Sequence, residues 1–418
     1  MLKNNIFNEV KVLITTGIFP PDIGGPATQL DYLIKEVLIR KPSFKINVLT
    51  FGEKGADYPY DVYKISKKIP KILKSFSYLM KTFILILQND TIYAWDLYTA
   101  GFSSYLIKKI IPRKKLVIRF VGDSAWEYYF NKFSISNPEG EQVSRGAGFQ
   151  FSIPDDILKF QEKKYGFKIE FKKWLRKKML MSADIVVVPS EFMKSIALKI
   201  GFSENKIRLI YNSVDFLFDE KEINEFENTS NTFYKKELGF KEDAIYLVSA
   251  SRLVPWKGQS ALIETMPDLI KKYGDIFLFI IGDGLEFNNL KFQISNLKLE
   301  NNVFLTGRLS HGKVFEYFKC ADVFILNTFY EGLSHTLLEA MKIGIPIIAS
   351  RAGGNMELIE DGENGFLVEY NNKQEITNAI LKIIQNPGLK ERFAARSKQK
   401  LNQFNFNDLV NKTIEILK

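Results

Sequence analysis

Two glutamates, Glu331 and Glu339, close the stretch Glu331-Gly-Leu-Ser-His-Thr-Leu-Leu-Glu339 at its two ends. The stretch follows an apolar run ending Leu326-Asn327 and leads into an amphipathic segment reaching Met341. Gly332–Thr336 therefore lies where a strand gives way to a helix. Backbone N–H groups in the first turn of such a helix lack intrahelical partners and draw an anion. Glu331 would project from the loop and Glu339 from the early helix. Two carboxylates flanking an anion-binding turn suit a ligand with hydroxyls on both sides of a phosphate, the layout of a nucleoside diphosphate sugar. Positive charge for the diphosphate is available from Arg252 and Lys257, in Ser251-Arg-Leu-Val-Pro-Trp-Lys-Gly258 just past another strand. A guanidinium and an ammonium there can hold a departing diphosphate as its charge grows. Near the start of the chain, Phe19-Pro-Pro-Asp-Ile-Gly-Gly25 joins a strand to a helix. Gly24 and Gly25 let the backbone approach a ligand with no side chain in the way.

The elements that must position these residues alternate. In the first half, Lys11–Thr16, Ile46–Phe51, Thr91–Trp95, Lys115–Val121 and Asp184–Pro189 read as buried strands. Between them, Gly25–Arg40, Pro70–Gln88, Tyr98–Ile110 and Ile153–Ser182 read as helices. Such alternation predicts a parallel sheet covered on both faces. The polar stretch Asp219–Asn231 interrupts the pattern, which then restarts with strands at Ala244–Ser249, Ile276–Ile281, Asn302–Leu305, Asp322–Leu326 and Pro346–Ala349. Helices are expected at Gln259–Tyr273 and Glu286–Leu297. The expected architecture is α/β: two Rossmann-like doubly wound domains facing across a cleft. Residues 1–215 form the first domain, 216–231 a linker and 232–390 the second. Residues 391–418 form a helical segment packing back towards the first. A ligand belongs at the carboxyl ends of the strands.

Composition narrows the function classes. The chain has 418 residues, 46% hydrophobic and 25% charged, which is globular and long enough for two cores. Its most apolar run, Phe83–Leu87, is far too short to cross a bilayer, and the first nine residues are polar, so a cytoplasmic location is expected. One cysteine and two histidines exclude a disulfide framework and a cysteine or histidine metal cluster. No two aspartates stand two positions apart, so the Asp-x-Asp site of metal-dependent sugar transfer is missing. Neither a metal nor a resident cofactor is expected. A nicotinamide-dependent oxidoreductase would need Gly-x-Gly-x-x-Gly after the first strand, where this chain has Thr15-Thr-Gly-Ile-Phe-Pro20. Gly282-Asp-Gly284 reads as a strand-end turn, and no nucleic-acid-binding module is recognisable.

In order, these motifs resemble glycosyltransferase family 4, a group of GT-B enzymes, over nearly the whole chain. The resemblance rests on Pro20–Gly25, Tyr211-Asn-Ser-Val-Asp215, Arg252 with Lys257, Ile281-Gly-Asp-Gly284 and the Glu-x7-Glu pair. It implies transfer of a sugar from a nucleotide-diphosphate sugar to a glycan or lipid-linked acceptor, with retention of anomeric configuration. It also implies that Glu339 binds ribose hydroxyls, that Arg252 and Lys257 bind the phosphates and that Glu331 binds the sugar. Leu333 and Ser334 would offer backbone amides, and Gly25 would approach from the first domain. Many members carry a histidine after the strand matching Leu116–Val121. Here the run is Val121-Gly122-Asp123, with no histidine before His311. Asp123 is the polar side chain placed to meet the sugar or acceptor hydroxyl, and it reads equally well as a helix cap. A binding protein that kept the fold and lost activity is the alternative reading.

Charge is unevenly placed. Residues 1–215 hold 34 Lys/Arg against 21 Asp/Glu, whereas the remainder holds 24 against 27. From Val62 to Asn89 there is no acid at all. In Pro70–Gln88 the apolar residues, among them Ile72, Leu73, Phe76, Met80, Ile84 and Leu87, recur at helical spacing and are expected to pack on the sheet. Lys67, Lys71, Lys74 and Lys81 would then face outward, towards an anionic membrane leaflet at the inner face of the cell membrane. Lysines and arginines crowd Lys159–Lys178 as well, with Phe167, Phe171 and Trp174 among them.

Overall fold

Runs such as VKVLIT, IYLVSA, IFLFII and VFIL have no polar alternation, so each can only be a strand covered on both faces. The computed structural model of the chain describes residues 9–22, 25–53, 57–136, 156–217, 229 and 231–418. It divides into two compact units. One contains the described residues of Met1–Ala125, Lys163–Phe216 and Phe406–Lys418; the other contains those of Trp126–Glu162 and Leu217–Asn405.

The first unit is built on seven parallel strands: β1 (Val10–Thr15), β2 (Phe44–Phe51), β3 (Asp61–Ile65), β4 (Thr91–Ala94), β5 (Lys115–Arg119), β6 (Ile185–Val188) and β7 (Ile207–Leu209). Their order is β3-β2-β1-β4-β5-β6-β7, with Val12 opposite both Ile46 and Thr91. Its helices are α1 (Gly25–Arg40), α2 (Lys71–Ile86), α3 (Ala100–Ile110), α6 (Phe167–Met181) and α7 (Glu191–Ile200), whereas α4 (Ser124–Ser136), from Trp126 onward, and α5 (Ile157–Glu162) belong to the second unit. The second unit has six parallel strands: β8 (Ile245–Ala250), β9 (Ile276–Ile281), β10 (Val303–Gly307), β11 (Val323–Leu326), β12 (Ile347–Ser350) and β13 (Phe366–Val368). Their order, β10-β9-β8-β11-β12-β13, reverses direction at β8 and β11. That switch point opens the carboxyl ends of β8 and β11 to a ligand.

Three expectations need correcting. The single helix expected over Ile153–Ser182, whose first three residues lie outside the described ones, is two helices, α5 and α6, parted by residues 163–166, with extended backbone at Gly166 (φ −62°, ψ 156°) leading into α6. Strands β3, β7 and β13 went unread, being edge strands or short ones with mixed polarity. The third correction concerns α2, which is inside out relative to the amphipathic reading. Its sheet-facing line is Tyr78, Thr82, Leu85 and Ile86, and the Tyr78 hydroxyl donates to the carbonyls of Thr16 and Leu49 at 3.1 Å. Ile72, Leu73, Phe76, Met80, Ile84 and Leu87 are exposed. Of the four lysines, Lys71 is exposed, while Lys74 Nζ lies 5.6 Å from the Phe51 ring centre, Lys81 Nζ 4.5 Å from that of Tyr63, and Lys67 pairs with Asp22 at 2.5 Å.

The last helix, Phe406–Leu417, belongs to the first unit. Leu409, Val410, Ile414 and Leu417 join the core of Val12, Ile14, Leu30 and Val37. Arg40 donates to Asn411 Oδ1 (3.1 Å) and Asn407 Oδ1 (2.5 Å), and the Phe406 N–H donates to Asp215 Oδ2 at 3.3 Å.

Candidate active site

In the second unit, four loops at the carboxyl ends of neighbouring strands are held together by close backbone approaches. After β8 the chain runs Ser251-Arg252-Leu253-Val254 into the short turn Pro255–Lys257 and then Gly258. Gly258 has φ +55°, and a Cβ there would meet Asn327 Nδ2 at 2.4 Å and Asn371 Oδ1 at 2.6 Å, so only glycine fits. Asn327, at the end of β11, donates through Nδ2 to the Gly258 carbonyl and to Asn371 Oδ1, each at 2.8 Å. The Thr328 hydroxyl and the Phe329 N–H donate to the Trp256 carbonyl at 3.1 and 2.8 Å. This lacing places the β8 loop against the β11 loop and sets Lys257 beside Glu331. Lys257 Nζ donates to Glu331 Oε2 in a largely buried ion pair.

The loop after β9 works as a brace. A Cβ on Gly282 (φ +142°) would stand 1.9 Å from the Ser251 carbonyl oxygen, so the Gly282-Asp-Gly284 turn presses directly on the backbone that carries Arg252. The loop after β12 does the same on the other side: the Gly354 N–H donates to the Glu331 carbonyl at 2.9 Å, and a Cβ on Gly354 would stand 2.1 Å from the Gly332 oxygen.

The helix His335–Ile343 begins where expected. Ser334 is its cap, accepting from the Leu337 N–H at 3.2 Å, and Gly344 in the left-handed conformation ends it. Leu333 and Ser334 are both buried. Glu339 is buried one turn into the helix with Oε1 3.3 Å from His311 Nε2. His311 opens the helix His311–Cys320 and was not singled out from sequence; its place at a helix start, directly after Ser310, was the available signal. Arg252 stays at the rim. Its side chain is largely exposed, its Cζ lies 5.9 Å from the Trp256 ring centre, and Nη2 is 4.0 Å from Glu127 Oε1. The unit thus brings Lys257, Glu331, Ser334, Glu339 and His311 to one end of its sheet, with Arg252 on the same loop as Lys257.

The remaining sequence-selected residues lie in the first unit. Gly25 is the first residue of α1, and Gly24 lies outside the described residues. Asp123 is fully buried just after β5. Its Oδ1 accepts from the Ala125 N–H at 3.0 Å, and its Oδ2 is in an ion pair with buried Arg176 of α6. The capping role is therefore present, together with a charge partner that sequence did not reveal. Asp96, after β4, holds the loop towards Gly25 by accepting from the N–H groups of Gly17 (2.7 Å) and Thr99 (2.7 Å). Desolvation pushes its carboxyl above the ordinary value, against those hydrogen bonds. Among the described residues, no three His, Cys, Asp or Glu side chains gather to hold a metal.

Solved structures match 97% of the chain. HepE of Anabaena in complex with UDP and glucose superposes with a TM-score of 0.71, covering 97% of this chain and 98% of that one at 21% identity. WaaG, a glycosyltransferase involved in lipopolysaccharide biosynthesis, gives 0.69 over 97% and 99% at 14% identity. The fold is that of the GT-B glycosyltransferases. Residues 230–400, which carry the whole constellation around Glu331 and Glu339, match the family described as glycosyl transferases group 1. An uncharacterized glycosyltransferase of Methanocaldococcus jannaschii is 27% identical over 96% of this chain and 95% of its own. The alpha-monoglucosyldiacylglycerol synthase of Streptococcus pneumoniae is 28% identical over 57% of this chain and 53% of its own. The family match and the full-length relative together support a glycosyltransferase.

Proposed function

We propose that the protein is a retaining glycosyltransferase of family 4 type. It takes a hexose from a nucleoside diphosphate sugar and passes it to a glycan or lipid-linked acceptor at the cytoplasmic face of a membrane. The observation that carries this reading is the double pairing in one loop-and-helix unit: Lys257 with Glu331, and His311 with Glu339. In this reading Glu339, oriented by His311, accepts from the ribose hydroxyls. Lys257 and Arg252 hold the diphosphate, assisted by the backbone amides of Leu333 and Ser334 at the head of the helix. Glu331 accepts from hydroxyls of the sugar, and because it touches Lys257 it ties sugar orientation to phosphate position.

The bond from the anomeric carbon to the diphosphate oxygen breaks as the acceptor oxygen approaches the same face of the sugar. The departing phosphate oxygen takes the acceptor proton, and the nucleoside diphosphate leaves. Lys257 and the amides stabilise charge that grows only at cleavage, which is where a fixed cation lowers the barrier most. No side chain is then required as external base and no metal as charge carrier. Asp123 is assigned to the sugar or the acceptor hydroxyl, and Gly24 and Gly25 to the donor. The complexes of HepE with UDP and with UDP-glucose make uridine sugars the first donors to try.

The test is a thermal-shift and turnover panel of UDP-, GDP- and ADP-hexoses. A true donor at ~100 times its dissociation constant raises stability by about 2.7 kcal/mol. The reading is wrong if no nucleotide or nucleotide sugar in the panel stabilises the protein. Release of a product with inverted configuration would overturn the retaining assignment alone.

A further inference from the structure

The helices α2, α3 and α6 lie side by side on the first unit and share an unusual surface. On α2, Ile72 (85% exposed), Leu73, Phe76, Met80, Ile84 and Leu87 form one continuous exposed line. α3 adds Phe102 and Ile110, and α6 adds Phe167 (86% exposed), Phe171 and Trp174. The three α6 rings stack along the helix at centroid spacings of 6.5 and 5.7 Å. The same three helices carry eleven lysines and arginines against one glutamate, Glu170. Lys108 and Arg176 answer Asp184 and Asp123, which leaves an excess of positive charge around the apolar line.

We infer that this three-helix face inserts its apolar side chains into an anionic lipid bilayer. It deepens the proposal of a membrane-borne acceptor by naming the surface and the force that holds it, and the donor chemistry does not enter. Apolar patches of this extent mark a binding surface. A second copy of the chain is a poor occupant, because a two-fold contact would set this basic surface against itself. A nucleic acid would meet the lysines but offer nothing to bury Ile72, Phe76 and Ile84 in. A leaflet with anionic headgroups meets both parts at once: aliphatic and aromatic groups sink to the acyl boundary, and lysines beside them remain at headgroup level. Because burial and charge both contribute, attachment is weakened by salt and survives it.

Trp174 makes the test direct, since Trp95, Trp126 and Trp256, the other three of the four tryptophans, are buried. The full chain is mixed with phosphatidylglycerol or phosphatidylcholine vesicles, and co-sedimentation and tryptophan emission are recorded at low and high salt. The expected result is binding to phosphatidylglycerol with a blue shift of emission, and reduced but measurable binding at high salt. The paired substitution Phe76→Ser with Ile84→Ser should weaken partitioning roughly tenfold or more while leaving the melting temperature unchanged. Absence of both sedimentation and blue shift with phosphatidylglycerol overturns the inference, as does binding that the paired substitution leaves intact. UDP-induced stabilisation, measured on the same samples, reports the donor site independently. A protein that binds UDP and ignores vesicles loses this inference alone, whereas one that binds vesicles and ignores every nucleotide loses the donor proposal alone.

Discussion

Lys257 and Glu331 neutralise each other, and that pairing gives opposite signs to two substitutions on the proposed function. Lys257→Ala removes a fixed cation, so turnover should fall about 10²–10³-fold at saturating donor, as for loss of a preorganised stabilising group. Glu331→Gln releases the ammonium to a diphosphate. UDP should then bind roughly threefold tighter, since one carboxylate no longer competes for the ammonium, while transfer falls because the sugar loses a hydrogen-bond acceptor. Calorimetry of UDP binding beside a transfer assay separates the two; weaker UDP binding in Glu331→Gln would contradict the arrangement. Glu339→Ala should cost about 1.5–3 kcal/mol of nucleotide affinity, the range for a hydrogen bond to a charged group. Asp123→Asn tests two roles together. Leaving the buried Arg176 guanidinium without its counter-charge should cost about 3–5 kcal/mol of stability, read as a lower melting temperature. Transfer lost with no change in melting would instead assign Asp123 to the substrate. The placement of Glu331, Glu339, Arg252 and Lys257 at one end of the second sheet was legible because motif spacing holds them near strand ends. The partners of Glu339 and Asp123 were not, since His311 and Arg176 sit on other helices and only tertiary packing brings them in.

At the scale of elements, strand–helix alternation carried most of the fold. Gly25–Arg40, Gln259–Tyr273 and Ile276–Ile281 are found with the bounds that apolar periodicity sets. Periodicity failed on α2 for a physical reason. It assigns the more apolar face to the core, whereas the sheet here takes a narrower line in which Tyr78 and Asn89 satisfy backbone carbonyls. The loops gave less away, because close approach between distant backbones leaves only a glycine as its trace. Gly258→Ala should therefore disturb the donor loop more than its size suggests: a left-handed φ and two side-chain collisions force Asn327 and Asn371 apart. A loss of at least 1 kcal/mol of stability is expected, together with weaker nucleotide binding. Unchanged affinity would show that the lacing of Gly258 to Asn327 does not set the position of Lys257.

For the whole molecule, the single cysteine offers a way to follow the second unit. Cys320 is fully buried, and desolvation pushes its thiol up to about 12, so almost none is thiolate at pH 8. Thiol reagents should leave the native protein unlabelled and modify it only as that unit opens. The labelling rate should fall when a nucleotide ligand is added; fast labelling of the native protein would contradict the burial. The helix Phe406–Leu417 has a different consequence, for biosynthesis. Because a ribosome delivers the chain from its N-terminus, the first unit must wait through manufacture of the whole second unit before Leu409, Val410 and Ile414 arrive to complete its core. Its newborn β1 and β2 spend that interval beside an unfilled seam, a clientele for chaperones until the final helix closes it.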